Sequence, residues 1–409
     1  MFGILITALL VLTIAALPAK AEELGHATQD NRSLETGGFA GLLDKLRQNP
    51  EIASYNAKAE SLLHYSKGEL GLPDPTVFVE EQDYPIGSST SQMQEEKMVG
   101  FKQEIPAFGT RGAKAEKTEA EAHKTRLAGD FAFAAMKAKL ITVLANLQRI
   151  KQQEKLLDEQ ASLFASERTS IKGRIAANQS GVSELSMVEA ESTEVQLMRA
   201  QLDEEKHEIM AMLTNMLGET PDVDLPLIAP AAWAHDADKT YPVRIAAEDI
   251  TMAHKDVAVR EADFNPHFEV QASYGRMYGG DKAGTVMVGL SIPLWAAENQ
   301  RARLDGAKAA LRSSELDQDA VRRYTIEKLD HLQAQIETSG RKIKLLKSKN
   351  AHLETSAKAL TREYVAGKAD VVMYVKARRE AISARISLAQ ERANRIALIA
   401  DFNHYLIGE

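Results

Sequence analysis

Cysteine is missing altogether from the 409 residues. Its absence excludes disulfides, thiolate metal sites, cysteine nucleophiles and a lipid anchor on an N-terminal cysteine. Aromatic residues are scarce at 6%, and Ala, Glu, Lys, Leu and Arg take their place, a composition of long helices rather than of a thick globular core. Positive charge is not in excess: the formal net charge is -8 and no basic domain stands out, so nucleic acid is not an expected partner. Beyond the N-terminus there is no long apolar run, so any crossing of a membrane has to be made by β-strands. Catalytic signatures are missing too. There is no His-Glu-x-x-His helix, no Gly-x-Ser-x-Gly elbow and no phosphate-binding glycine loop. The ten histidines, among them His64, His254 and His267, show no metal-ligand spacing. The thirteen methionines suit a helix seam. Neither an enzyme, nor a cofactor, nor a specific metal site is expected.

What is present begins with MFGILITALLVLTIAALPAKA. The apolar run Phe2 to Leu17 spans roughly 24 Å as a helix, short of the ~30 Å hydrocarbon core, and Ala19-Lys20-Ala21 is a small-x-small cleavage site. Residues 1–21 are therefore read as a secretory signal peptide.

Two stretches then organise the chain. VGFKQEIPAFGTR (99–111) is an alternating strand, stopped at Pro106 and handed to a very long Ala/Glu/Lys-rich helix. VMVGLSIPLWAAENQR (286–301) repeats the plan around Pro293. The spacing predicts, in a first repeat over 22–234, a helix broken at Asn49-Pro50, strands at 76–84 and 97–105, a helix over 110–178, a return helix over 184–217 and a Pro-rich equatorial segment over 218–234. A second repeat over 235–409 has a helix over 241–263, strands at 267–274 and 285–292, a helix over 296–364 and a return helix over 371–405. Rows of apolar residues seven apart mark coiled-coil seams. Val143, Ile150, Leu157, Phe164 and Ile171 form one, Val188, Val195, Leu202, Ile209 and Met216 the next. Leu329, Ile336 and Ile343 form the third, and Val375, Ile382, Ala389 and Ile396 the fourth. The 110–178 helix is roughly 100 Å long, and each shorter helix stacked on a return helix matches it. Gly181 and Gly367 stand in the turns between long and return helices, at what look like equivalent places.

Four strands cannot close a barrel. Strands with one apolar and one polar face suit a membrane barrel with a wet lumen, so four per chain imply a closed oligomer; three chains give twelve strands and twelve helical columns. Tyr84, Phe108, Tyr274, Tyr278 and Trp295, near strand ends, fit an interfacial girdle or ordinary turn packing. The first strand alternates poorly, because Glu80 and Glu81 put a carboxylate on each face. Either that end lies outside the hydrocarbon or the register is wrong.

The doubled order of helix, Asn/Asp-Pro, strand, loop, strand, Ile-Pro, long helix, Gly-turn and helix resembles the TolC family of outer-membrane efflux proteins. VGFKQEIPAFGTRG is similar to that family's strand-to-helix junction and NPEIASYNAKAE to its first helix. The resemblance covers about Phe39 to Tyr405, and the junction ending Gly-Thr-Arg-Gly is most like the branch serving heavy-metal RND pumps. It implies a homotrimer in outer-membrane lipid with a 12-stranded β-barrel continuous with a helical coiled-coil barrel and a large periplasmic portion. It also implies a periplasmic adaptor and an inner-membrane pump as partners, with metal cations as cargo. Drugs or type I secreted polypeptides are the alternative cargo, and a pore-free periplasmic coiled-coil protein the alternative of another class. The tips that meet the adaptor are then Gly181, Val182, Ser183, Glu184 and Leu185, with Gly367, Lys368, Ala369, Asp370 and Val371. Glu184 and Asp370 are the candidate pore gate; both also suit the first turn of a helix.

Pro106, Gly109 and Pro293 mark the strand-to-helix junctions. Proline has no amide hydrogen for a sheet and suits a first helical turn. Gly109 and Gly112 are expected to make the first junction the more flexible one. Replacing Pro106 or Pro293 by Ala is expected to impair trimer insertion more than adaptor binding. Heat-resistant trimers on gels report insertion, and normal trimers from both variants would refute the expectation.

Overall fold

The computed structural model describes residues 38–82, 96–178, 181–221, 225–277 and 280–408. The signal peptide, Tyr84, Tyr278 and nearly all of the loop between the first two strands lie outside them. Within the described residues the order is α1 (Phe39–Arg47), α2 (Pro50–Glu69), β1 (Thr76–Gln82), β2 (Glu96–Ile105), α3 (Thr110–Ala176) and α4 (Val182–Leu217). After the segment over 225–240 come α5 (Tyr241–Ala262), β3 (His267–Arg276), β4 (Lys282–Ser291), α6 (Gln300–Val365) and α7 (Val371–Asn403).

α3, with 67 residues, is about 100 Å long at 1.5 Å per residue. Its seam is the expected one: Leu140, Val143, Leu147, Ile150, Leu157, Phe164 and Ile171 are buried with Val188, Val195, Leu202, Ile209 and Met216 of α4 in one cluster. α3 packs on α2 and α4 along one flank and on α5 and α7 along the other, and α5 and α7 in turn pack on α6. The columns therefore run α2/α4, α3, α5/α7, α6, two continuous and two built from shorter pieces.

Both composite columns have a defined joint. Asn49 and Pro50 separate α1 from α2 because proline at the first helical position needs no donor while Asn caps. The Asn49 side-chain oxygen accepts from the Glu51 N–H at 2.9 Å, and its amide donates to the Met216 carbonyl at 3.1 Å. One side chain thus closes the start of α2 and the end of α4. In the other column the Tyr241 N–H donates to the Tyr405 carbonyl at 3.0 Å, beside a Thr240–Leu406 bridge.

The strands form one antiparallel sheet in the order β1-β2-β3-β4. Val77, Phe101, Ala272 and Val286 lie in one cross-strand row, Val79, Val99, Tyr274 and Gly284 in the next. Gln103, Val270 and Val288, then Ile105, Phe268 and Leu290, continue the same face. This register settles the doubt over the first strand. Glu81 ends the apolar face in a row with Lys97, Arg276 and Lys282, ion-paired to Lys97 at 2.9 Å. Glu80 lies on the other face, opposite Met98. From Ile105 to Lys97 the apolar face runs about 27 Å along the strand, or about 20 Å of membrane normal at a tilt near 40°. On the apolar face the outer strands are exposed, with Val79 82% exposed, while Phe268, Val270 and Ala272 of β3 are half-buried.

The junctions differ in kind. Gly109 precedes α3 with φ +89°, a left-handed conformation that side chains resist. It fixes a geometry rather than loosening one, and Gly112 lies inside the helix. After β4, Pro293 leads into a turn in which the Asn299 N–H donates to the Trp295 carbonyl at 3.0 Å.

Asn49→Ala removes both hydrogen bonds at the first joint, a loss of about 1–2 kcal/mol for such a cap. Amide exchange at Glu51 to Ser54 and at Thr214 to Leu217 is expected to accelerate together. Acceleration of only one segment would show that Asn49 does not couple the two helices.

Candidate functional site at the helical tips

The two turns at the far end of the bundle are superposable in plan but not in the way the glycines suggest. α6 ends with Ala366 and then Gly367 at φ +69°; α3 ends with Ala177 and then Asn178 at φ +60°. The left-handed position after a helix takes Gly or Asn, so Asn178, not Gly181, is the counterpart of Gly367. Gly181 instead precedes α4 in an extended conformation, the place that Asp370 holds before α7.

Asp370 caps α7, its carboxylate accepting from the Val372 N–H at 3.3 Å. Lys368 and Asp370 are exposed and Val371 is buried. In the first turn Val182 is exposed, Leu185 packs against the α3–α4 core, and Glu184 pairs with Arg174 of α3 at 3.6 Å. Glu184 is therefore held back against α3, while Asp370 stands at the rim.

Above the turns lies a cluster that sequence reasoning missed. The Tyr364 hydroxyl, at the end of α6, hydrogen-bonds to the Glu167 carboxylate and to the Arg174 guanidinium, both on α3. The guanidinium also lies over the Tyr364 ring at 5.2 Å. That ring also stacks on buried Tyr374 of α7, with centroids 4.8 Å apart and planes 6° from parallel. Burial, and next the Glu167 carboxylate, push the Tyr364 phenol far above its ordinary value, so it stays a neutral donor at any physiological pH. Arg379 of α7 reaches Glu191 of α4 at 3.1 Å, and Arg385 reaches Glu159 of α3 at 3.5 Å and Glu354 of α6. Polar contacts thus fasten the α6–α7 pair to the α3–α4 pair. Glu167 and Tyr364 are 197 residues apart, so no local pattern links them. The available signal was two tyrosines flanking one turn in an aromatic-poor chain.

The two pairs are packed unequally. α3–α4 interdigitate Val, Leu, Ile and Phe, whereas the lower α6–α7 contact is a small cluster of Ala357, Ala377 and Ala381 with Leu353 and Leu360 partly buried. Alanine buries far less apolar area than leucine, so the second pair is held less strongly. Farther up, α3, α4, α6 and α7 line an open groove of about 1220 Å³. Its walls mix Lys139, Arg149 and Lys342 with Glu205, Glu208 and Asp401. The 225–240 segment is pinned to α6 by the Trp233 indole N–H donating to Asp330 at 2.9 Å. Among the described residues no group of three His, Asp or Glu is placed to hold a metal ion, and no helix is long and apolar enough to cross a membrane.

Residues 243–399 match the family described as Outer membrane efflux protein. Solved outer-membrane channels share the fold over most of the chain. The channel OprN aligns over 90% of each chain at 17% identity with a TM-score of 0.76. CusC aligns over 90% of this chain and 92% of its own at 13% identity and a TM-score of 0.78. CmeC of Campylobacter jejuni aligns over 90% and 86% at 12% identity and a TM-score of 0.76. No curated protein sequence matches the chain. The fold is that of TolC-like outer-membrane channels, and these relatives are channels, not enzymes.

Tyr364→Phe keeps the stack on Tyr374 and removes only the hydroxyl from Glu167 and Arg174. Loss of a hydrogen bond to a charged group is expected to speed amide exchange over 360–368 about tenfold. Unchanged exchange there would mean that the cluster does not hold the tip.

Proposed function

We propose that this chain is one third of a passive trimeric exit duct in the outer membrane, an outer-membrane efflux protein of the TolC-like family. The observation that carries the reading is the sheet. One face carries exposed Val77, Val79, Val286 and Val288, and it ends in a charged row at about the thickness of an outer-membrane apolar band. A pore-free coiled-coil scaffold accounts for the helices but leaves that sheet without a purpose. The chain is read as a signal peptide (1–21) followed by repeats over 22–234 and 235–409, the first removed on export to the periplasm.

In this reading four strands from each of three copies close the barrel, and the columns continue it into the periplasm. The tips, Gly181 to Leu185 and Gly367 to Val371, meet a periplasmic adaptor that joins the duct to an energised inner-membrane pump of the RND type. Metal cations are the proposed cargo, on the likeness of the first junction to the heavy-metal branch. A conduit of this kind needs no tight metal site, because selection happens upstream.

The mechanism follows from the unequal packing. Opening swings the α6–α7 pair away from α3–α4, breaking the contacts of Tyr364 with Glu167 and Arg174, of Arg379 with Glu191 and of Arg385 with Glu159, and uncovering Val371, Tyr374 and Val375 of α7. The buried Leu and Phe seam stays intact. Three copies of Asp370 ring the entrance and attract cations. Glu184 contributes to the gate by holding Arg174 in place for Tyr364.

In planar bilayers the purified trimer is expected to show a low, cation-preferring conductance. Tyr364→Phe combined with Arg385→Ala should raise it several-fold, and Asp370→Asn should shift the reversal potential toward zero selectivity. A trimer that conducts nothing in any of these forms would refute the duct. Loss of metal-ion resistance on deletion, with drug resistance unchanged, tests the cargo.

A further inference from the structure

Residues 225–236 form neither helix nor strand, yet they are laid across α6 and α7 at fixed points. The Ala231 N–H donates to the Asn403 side-chain oxygen at 2.9 Å, and the Asn403 amide donates to the Ala229 carbonyl at 3.0 Å. Two residues on, the Trp233 indole N–H donates to Asp330 of α6, and the His235 imidazole lies 3.0 Å from the same carboxylate. A segment tied to α7 at one end and to α6 at the other is a wall held in place. Between that wall and the two helices lies an open pocket of about 420 Å³, a size that holds one small molecule.

The pocket has two unlike ends. The upper end is apolar. Pro230 and half-buried Trp233 of the segment stand there, with buried Ile336 of α6 and Phe402 of α7 behind them. The lower end is cationic. Arg341 and Lys344 lie one turn apart on α6, and Arg395 of α7 lines the pocket with them. Lys344 is about 12 Å along α6 from Ile336, so one ligand of that length touches both ends. Gly340 faces Arg395: a Cβ placed there would stand 3.6 Å from the Arg395 Nε. The guanidinium therefore lies against α6 with no side chain between.

The three cations have no counter-charge among the described residues. Arg341 donates within its own helix, to the Thr338 hydroxyl at 3.0 Å. The Arg395 Nε is buried without a hydrogen-bond partner. Glu337 also lines the pocket, and it is ion-paired to none of the three. Lower on α7 the arrangement is different, since Arg379 and Arg385 each meet carboxylates of neighbouring helices. Like charges gathered at one spot repel, and an anion among them relieves that repulsion. A guanidinium fork matches a carboxylate in particular.

We propose that this pocket binds an amphipathic organic anion, its carboxylate held by Arg341, Lys344 and Arg395 and its hydrocarbon body lying against Trp233, Pro230 and Ile336. The pocket is complete within one chain, so neither the closed ring nor the cargo of the duct enters the inference.

Trp233 reports on the site directly. The chain has two tryptophans, and Trp295→Phe leaves Trp233 as the single emitter in the purified full-length protein. The probe is ω-bromooctanoate, whose bromine quenches an indole on contact, compared with uncharged ω-bromooctanol. Saturable quenching is expected from the anion, at concentrations about tenfold or more below those the alcohol needs. Octanoate should compete and inorganic phosphate should not. Lys344→Glu and Arg395→Gln should each raise the concentration for half-quenching by the anion about tenfold and leave the alcohol unaffected. Lys344 is exposed and has no core contact to lose, so it keeps the test decisive if Arg395→Gln does not fold. Equal quenching by anion and alcohol, or quenching that Lys344→Glu leaves unchanged, would overturn the proposal by showing the probe in detergent rather than in the pocket. Competition by phosphate as strong as by octanoate would overturn it too, by showing a bare anion site.

Discussion

Everything in this molecule leans on the apolar seam of α3. A helix of about 100 Å has little reason to persist alone in water. Its stability comes from Leu140 to Ile171 being covered on one flank by α4 and from the second flank taken by α5 and α7. Because α3 is unbroken, it sets the height of every other column, and because β2 enters it through Gly109, it also sets where the sheet sits. The strand order β1-β2-β3-β4 and the column order α2/α4, α3, α5/α7, α6 are one order imposed by that spine.

Much of this was legible in the sequence, for a physical reason. A seam between two helices demands one narrow row, and a narrow row repeats every seven residues. The rows of α3 and α4 were therefore correct residue by residue. α7 shows the limit. Its expected row of Val375, Ile382, Ala389 and Ile396 is only half right: Val375 and Ala389 are buried, but Ile382 and Ile396 are half-buried, while Ala377, Ala381, Ala384 and Leu388 are covered. A helix wedged between α3 and α6 has two contact faces, and its burial pattern is too wide for a single heptad row to describe.

The tip was harder to read. The glycines drew the eye to Gly181 and Gly367, yet backbone handedness pairs Gly367 with Asn178, since both residue types accept the left-handed position. The cluster of Glu167, Arg174, Tyr364 and Tyr374 joins distant segments, and nothing in a local window announces such a meeting. The β-register was similarly undecidable from one strand. It is fixed by a row that needs all four strands, Glu81 in line with Lys97, Arg276 and Lys282.

The joint at Asn49 has a mechanical consequence. A continuous helix transmits torque along its length, whereas two helices meeting through one side-chain amide and a carbonyl transmit almost none. The α2/α4 column is thus a pair of rods on a swivel beside a rigid mast. The lower rod can turn or lean at the tip without twisting the strands far above it. A molecule so jointed can move one end through a large angle while the other remains sealed in its surroundings.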